Sequence, residues 1–293
     1  MPAPAPHAVA LARIPVRVRE REVLGSLTRY WDYGPADRPV DLVLVHGYRG
    51  DHHGLEPIVA RLPELRIVSP DLPGFGESSP LIGREHSIAA YAAWLDAFLV
   101  SDGLRGVSLL GHSFGTIVVA HAIATGTPSA RTILINPIAS DPMTGVLPHL
   151  TRIFYRAGMA LPEKAGRALL GSPVVVRVMS MALTKTPDRG LRTWIHQEHH
   201  RYFSAFTDRV TLTEGFEASL STDVSAVADS LTMPTLVIAG EDDTVAPVHA
   251  ARRLASRLPD VRYVELAGVG HLVHYERPVE AAAAIQSFME ETA

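Results

Sequence analysis

Residues 107–124 read VSLLGHSFGTIVVAHAIA, an apolar run, then Gly111, Ser113 and Gly115 interleaved with His112 and Phe114, then a second and longer apolar run. The first run suits a strand covered on both faces, and the second suits a buried helix. No loop separates them, so the chain has to turn from strand to helix at the serine itself. A turn that sharp strains the serine backbone, and glycines two residues to either side let the two elements approach without colliding side chains. The hydroxyl is then held up at the end of a sheet. Only a layered fold in which strands feed directly into helices accommodates this arrangement.

The rest of the chain agrees. Short Val/Ile/Leu-rich runs at 41–45, 66–69, 107–110, 132–135 and 235–239 suit parallel strands. Helical patterns lie between several of them. One begins after Ser87, which suits an N-cap, and stops at Gly103. This alternation predicts an α/β protein with a mostly parallel central sheet and helices on both faces. It breaks after TILINP: from 138 to 225 no strand series is visible, and LTRIFYRAGMALP, KAGRALLG and GLRTWIHQEHHRYFSAF read as helices. The expected organisation is therefore a core in two parts, 1–137 and 226–293, interrupted by a helical cap over 138–225.

With 293 residues, 47% hydrophobic and 20% charged, the chain has ample apolar surface for such a core. A formal charge of -4 gives no basic excess of the kind nucleic-acid binding uses, and the absence of cysteine removes disulfides and thiolate chemistry. The first 22 residues place Pro and His where a signal peptide needs an apolar core, and no stretch reads as a membrane span. The expectation is a soluble, cytoplasmic protein without stable membrane insertion, its oligomeric state left open.

A serine hydroxyl is a poor nucleophile near neutral pH and needs a base, which in turn needs an orienting acid. ELAGVGHLVHYERP, near the end of the chain, offers His271 on a loop after a strand pattern, and VIAGEDDTVAP offers Asp242 and Asp243 after another. Together with LVLVHGYRG, DLPGFGES and GHSFG, these five motifs stand in the order found in α/β-hydrolases. From about residue 16 to 291 the chain resembles the esterase, lipase and meta-cleavage-product hydrolase group of that superfamily. The resemblance implies a Ser113–Asp243–His271 triad, because similar hydrolases place the acid three residues after the Gly of a G-x-x-D-x-x-x-P pattern, here Gly240 to Pro247. Asp242 is the reserve choice. Asp141 is a lesser one, since some members carry their acid after the preceding strand. The resemblance also implies an oxyanion hole formed by the backbone N–H groups of Tyr48 and Phe114.

Other polar residues read as structural. His112 and His46 suit packing roles. Asp51, His52 and His53 invite a metal reading, but a polar loop entering a helix is the better account of them, and HQEHH lacks the Glu of H-E-x-x-H. Arg49 suits either support of the oxyanion loop or contact with an acidic substrate group. Residues 143–192 carry eight Lys or Arg against two acids, a basic margin that snorkelling side chains explain and that would also attract an anionic substrate or surface. Trp194, Tyr202, Phe203 and Phe206 are expected to give the cap an apolar acyl pocket. The expected activity is cofactor- and metal-independent hydrolysis of a small carboxylic ester, thioester or amide through an acyl-enzyme. Carbon–carbon bond hydrolysis of the meta-cleavage type, perhydrolysis, or ligand binding without catalysis are the alternatives.

Overall fold

The computed structural model describes residues 5–141, 143, 147–203 and 206–291. Its eight strands are β1 (Val16–Val23), β2 (Ser26–Tyr33), β3 (Leu42–Val45), β4 (Ile67–Pro70), β5 (Ser108–His112), β6 (Thr132–Ile135), β7 (Thr235–Gly240) and β8 (Val261–Leu266). They form one sheet in the order β1-β2-β4-β3-β5-β6-β7-β8. The β1/β2 and β2/β4 pairs are antiparallel and the remaining pairs are parallel.

The helices are α1 (Ala8–Leu11), α2 (Glu56–Val59), α3 (Ile88–Ser101), α4 (Phe114–Ala124), α5 (Leu147–Ala160), α6 (Glu163–Leu170), α7 (Pro173–Leu183), α8 (Arg189–Tyr202), α9 (Arg209–Ser219), α10 (Val248–Ala255), α11 (Val273–Glu276) and α12 (Pro278–Glu290). The two-residue period of the central strands sorts their side chains onto two cores. Val43, Val45 and Leu109 meet Trp94 and Phe98 of α3, Ile117 of α4 and Leu254 of α10 on one face. Leu42, Leu44 and Leu110 meet Ile58 of α2 and Ile285 and Phe288 of α12 on the other. Burial on both faces is why these strands read as continuous apolar runs. Ser87 caps α3 as expected, its Oγ accepting from Ala90 N at 3.2 Å.

The β1–β2 hairpin is not among the sequence expectations. Strand β1, VRVREREV, is a sheet edge and is exposed along most of its length, so it carries too little apolar signal. An ionic knot ties it down. Asp32 of β2 accepts from Arg17 of β1 at 2.8 and 3.1 Å and from Arg66, just before β4, at 3.0 Å on each oxygen. Burial alone would raise the Asp32 pKa, but the two guanidiniums outweigh it and hold the group at about 2.

Five helices, α5 to α9, lie between β6 and β7. They pack over loops at the carboxyl ends of the strands: Tyr48 Oη after β3 donates to Leu212 O at 2.7 Å, and Thr207 Oγ1 donates to Gly74 O, after β4, at 3.1 Å. One expectation needs correction here. Glu163–Leu183 is long and apolar enough by composition to cross a membrane. In the fold it is divided into α6 and α7 around Gly171 and Ser172, with Pro173 opening the second helix.

Candidate active site

Ser113 stands between the last residue of β5 and the first of α4 with φ 53 and ψ -118, a conformation that side chains disfavour. The elbow is held from several sides. Ser113 N donates to Ile135 O of the neighbouring strand at 3.0 Å, and Thr116 N donates to Ser113 O at 2.8 Å. The flanking glycines are sterically required. A Cβ on Gly115 would overlap the carbonyl oxygens of Val45 and His46, and one on Gly111 would overlap the backbone of Gly115.

The loop after β8 brings His271 against the serine, with its Nε2 2.7 Å from Ser113 Oγ and its Nδ1 2.7 Å from Asp243 Oδ2. Close backbone contact makes this possible, since a Cβ on Gly240, at the end of β7, would press into the carbonyls of Gly270 and Val269. The Asp243 side chain is fully buried and that of His271 is 8% exposed. Asp243 Oδ1 accepts from Val245 N at 2.8 Å and Ala246 N at 2.9 Å. Its other oxygen accepts from Asn136 Nδ2 at 2.8 Å as well as facing the imidazole. Burial works against ionisation of Asp243, but His271, its hydrogen bond and the two backbone N–H groups outweigh it, leaving the pKa below the ordinary carboxylate value. The neighbouring Asp242 side chain is exposed. Asp141 is also exposed and accepts from Met143 N at 2.8 Å.

Asn136 was not foreseen. It follows β6 with φ 47, a left-handed conformation that Asn tolerates better than most residues. It donates to Asp243 and also to Gly270 O at 3.2 Å, so one amide braces both the acid and the loop of the base. Glu276 was missed as well. Its buried carboxylate accepts from Lys185 N at 2.6 Å and Thr186 N at 2.9 Å, seating the α7–α8 connection over the His271 loop.

The backbone N–H groups of Tyr48 and Phe114 donate no hydrogen bond among the described residues, which leaves both available to a ligand. Gly50 N donates to Gly47 O at 3.0 Å, closing a turn around Tyr48 and Arg49. The Tyr48 ring lies in an aromatic group with Phe75, Phe114, Tyr155 and Phe216. His46 is structural: its Nδ1 donates to Gly47 O at 2.9 Å while its Nε2 accepts from Leu72 N at 2.8 Å. His112 donates from Nε2 to His271 O at 3.2 Å, and burial pushes its pKa down to about 3, so it supports the base as a neutral ring.

The polar clusters resolve differently. Ligand atoms of Asp51, His52 and His53 lie within 4.8 Å of one another. Both Nδ1 atoms already face carboxylates, His52 at 2.9 Å from Asp71 and His53 at 3.2 Å from Asp51. His196 and His199 are buried around the Ser180 hydroxyl at 2.5 and 2.7 Å, while His200 is exposed, so the three imidazoles do not act as one face. The aromatic residues expected to line a pocket mostly serve packing. Trp194 packs on Tyr275, Tyr202 on His53 and Phe203 on His199, and Phe206 lies under Arg167. Arg152 is paired with Glu217. A groove of about 330 Å³ between α7 and α8 is lined by Val176, Arg177, His196 and His200 and includes none of Ser113, Asp243 or His271.

Comparison with known proteins places this geometry in context. A profile of the alpha/beta hydrolase family matches residues 42–285. A protein of Escherichia coli O1:K1 with a provisional carbamate-hydrolase name, RutD, is 24% identical over 245 residues, covering 83% of this chain and 88% of its own length. Among solved structures, the enol-lactonase of Burkholderia xenovorans LB400 is similar with a TM-score of 0.77 at 21% identity, over 93% of this chain and 100% of that one. A thermophilic esterase of Thermogutta terrifontis has a TM-score of 0.75 at 21% identity, over 93% and 98%. At these identities the two structures establish the fold.

Proposed function

From the premise that this chain belongs to the alpha/beta-hydrolase family and is a hydrolase, we propose that it cleaves a carboxylic ester by a Ser113–His271–Asp243 triad through an acyl-enzyme. One observation carries the reading: the unbroken chain of 2.7 Å contacts from Ser113 Oγ through the imidazole to a buried carboxylate, with the serine held in a strained elbow. His271 Nε2 takes the hydroxyl proton as Oγ attacks the acyl carbon, and Asp243, ionised and fully hydrogen-bonded, orients the ring and stabilises its positive charge. The tetrahedral oxyanion forms against the N–H groups of Tyr48 and Phe114. His271 then protonates the leaving alcohol. A water activated by the same imidazole releases the acid and restores Ser113.

Helices α5 to α9 act in this reading as a cap that shapes the acyl side of the site. The aromatic group around Tyr48 supplies its apolar wall, with Tyr155 and Phe216 contributed by the cap. The names of the similar proteins, an esterase, a lactonase and a carbamate hydrolase, share attack at a carbonyl carbon bearing oxygen, which favours esters over carbon–carbon bonds. The test is a matched panel of a 4-nitrophenyl ester and a 4-nitroanilide of one acyl group and the 4-nitrophenyl N-alkylcarbamate of equal chain length. The ester is expected to turn over fastest. A larger kcat/KM for the carbamate would transfer the assignment to carbamate hydrolysis.

A further inference from the structure

Arg49 occupies a position where its residue type is disfavoured. The hydrogen bond from Gly50 N to Gly47 O closes a four-residue turn whose third member, Arg49, has φ 61. A turn with positive φ only at that position favours glycine, and any other side chain strains it. Here the position holds the bulky, charged side chain of an arginine, only 3% exposed. No carboxylate pairs with it among the described residues.

The cap satisfies the guanidinium instead. Nε and Nη2 donate to Phe203 O, at the end of α8, at 3.0 and 2.7 Å. Nη2 also donates to Leu170 O of α6 at 3.1 Å, and Nη1 to Tyr155 Oη of α5 at 3.2 Å. A buried cation without hydrogen bonds is costly, so this side chain is stable in place only while those three helices are seated. The residue before it is Tyr48, whose N–H is one of the two oxyanion donors proposed above.

We infer that Arg49 is a positioning residue: its grip on the cap backbone holds the strained Tyr48–Arg49 turn and so aims the Tyr48 N–H at the oxyanion. The oxyanion hole is then complete only when the cap is docked, and a substrate that seats the cap also assembles the group that stabilises its transition state. Because an oxyanion exists only after attack, the contribution of Arg49 belongs to kcat and to binding of tetrahedral adducts, not to ground-state affinity. This inference rests on the serine-hydrolase reading.

The experiment compares wild type with Arg49→Met, Arg49→Gly and Arg49→Lys. It measures kcat and KM on 4-nitrophenyl butyrate, the Ki of an alkyl trifluoromethyl ketone that adds to the serine as an oxyanion, and folding by circular dichroism. In the Met variant kcat is expected to fall about 10- to 100-fold with KM within about threefold, and Ki to rise in parallel with the loss in kcat. Glycine relieves the turn strain without restoring the grip, so Arg49→Gly should show the same loss. Lysine, which can reach part of the carbonyl set, should recover part of it. Wild-type kcat and Ki in the Met or Gly variant, or a loss confined to KM, would overturn the inference. Should the Met and Gly variants not fold, Tyr155→Phe removes one contact of the grip. It should lower kcat and weaken the ketone together by about two- to fivefold, and no change in either would again overturn the inference. Failure of the underlying reading looks different: wild type would then form no ketone adduct, and Ser113→Ala would retain turnover.

Discussion

Asp243 has to remain ionised in the interior while holding an imidazole in one orientation. Four hydrogen-bonding neighbours, Val245 N, Ala246 N, Asn136 Nδ2 and His271 Nδ1, make both possible. The imidazole and the two backbone N–H groups outweigh burial and keep its pKa below the ordinary carboxylate value, so the acid protonates only at a lower pH than an exposed carboxylate does. Asp243→Asn should keep the fold and lower kcat on a 4-nitrophenyl ester by about 10³- to 10⁴-fold, because an amide cannot stabilise the imidazolium. Asp242→Asn should leave kcat near wild type; a greater loss there than in Asp243→Asn would move the acid one position back. The serine, the histidine and the acidic pair were all legible in the sequence because each belongs to a short local motif. Asn136 and Glu276 were not. Asn136 finds Asp243 107 positions away, and nothing local distinguishes it from any turn asparagine.

At the scale of elements, legibility followed burial. The central strands β3 to β7, covered on both faces, announce themselves as Val/Ile/Leu runs. Strand β1 is exposed and charged, and polar contacts hold it in place instead of an apolar face. That difference is testable. The depressed pKa of Asp32, at about 2, means that its pairing contributes stability fully present above the unfolded carboxylate pKa and lost as pH falls through the folded value. Asp32→Asn should therefore destabilise the fold at pH 7 by about 2 kcal/mol, less than a fully buried pair costs because both guanidiniums keep some contact with water. The difference from wild type should shrink between about pH 4 and pH 2 in urea unfolding followed by circular dichroism. A pH-independent difference would mean that the knot is not what fastens the hairpin. What the aromatic stretch of α8 packs against was not legible for a related reason. Helical spacing shows which residues share a face but not what that face meets, and Trp194 and Tyr202 meet Tyr275 and His53.

For the whole molecule, sequence order and spatial order diverge in a way that explains the function proposed. Ser113, Asp243 and His271 follow β5, β7 and β8, and the parallel sheet brings all three to its carboxyl end. The inserted helices reach the same end and make polar contacts there with Tyr48, Arg49 and Glu276. The core could be read ahead of the structure because parallel α/β layering has few solutions. The packing of α5 to α9 could not, since several of their seams with the core run through backbone carbonyls and N–H groups, such as Leu212 O, Phe203 O and Lys185 N, that carry no sequence signature. The central claim, that Ser113 is the nucleophile, is tested most directly by treating the protein with a small alkyl fluorophosphonate and measuring intact mass, peptide-mapped adduct position and residual esterase activity on one sample. A single adduct on Ser113 is expected, its formation paralleling the loss of ester hydrolysis, with neither adduct nor hydrolysis in Ser113→Ala. An adduct on another residue that tracks the loss of activity, or undiminished hydrolysis by purified Ser113→Ala, would contradict it.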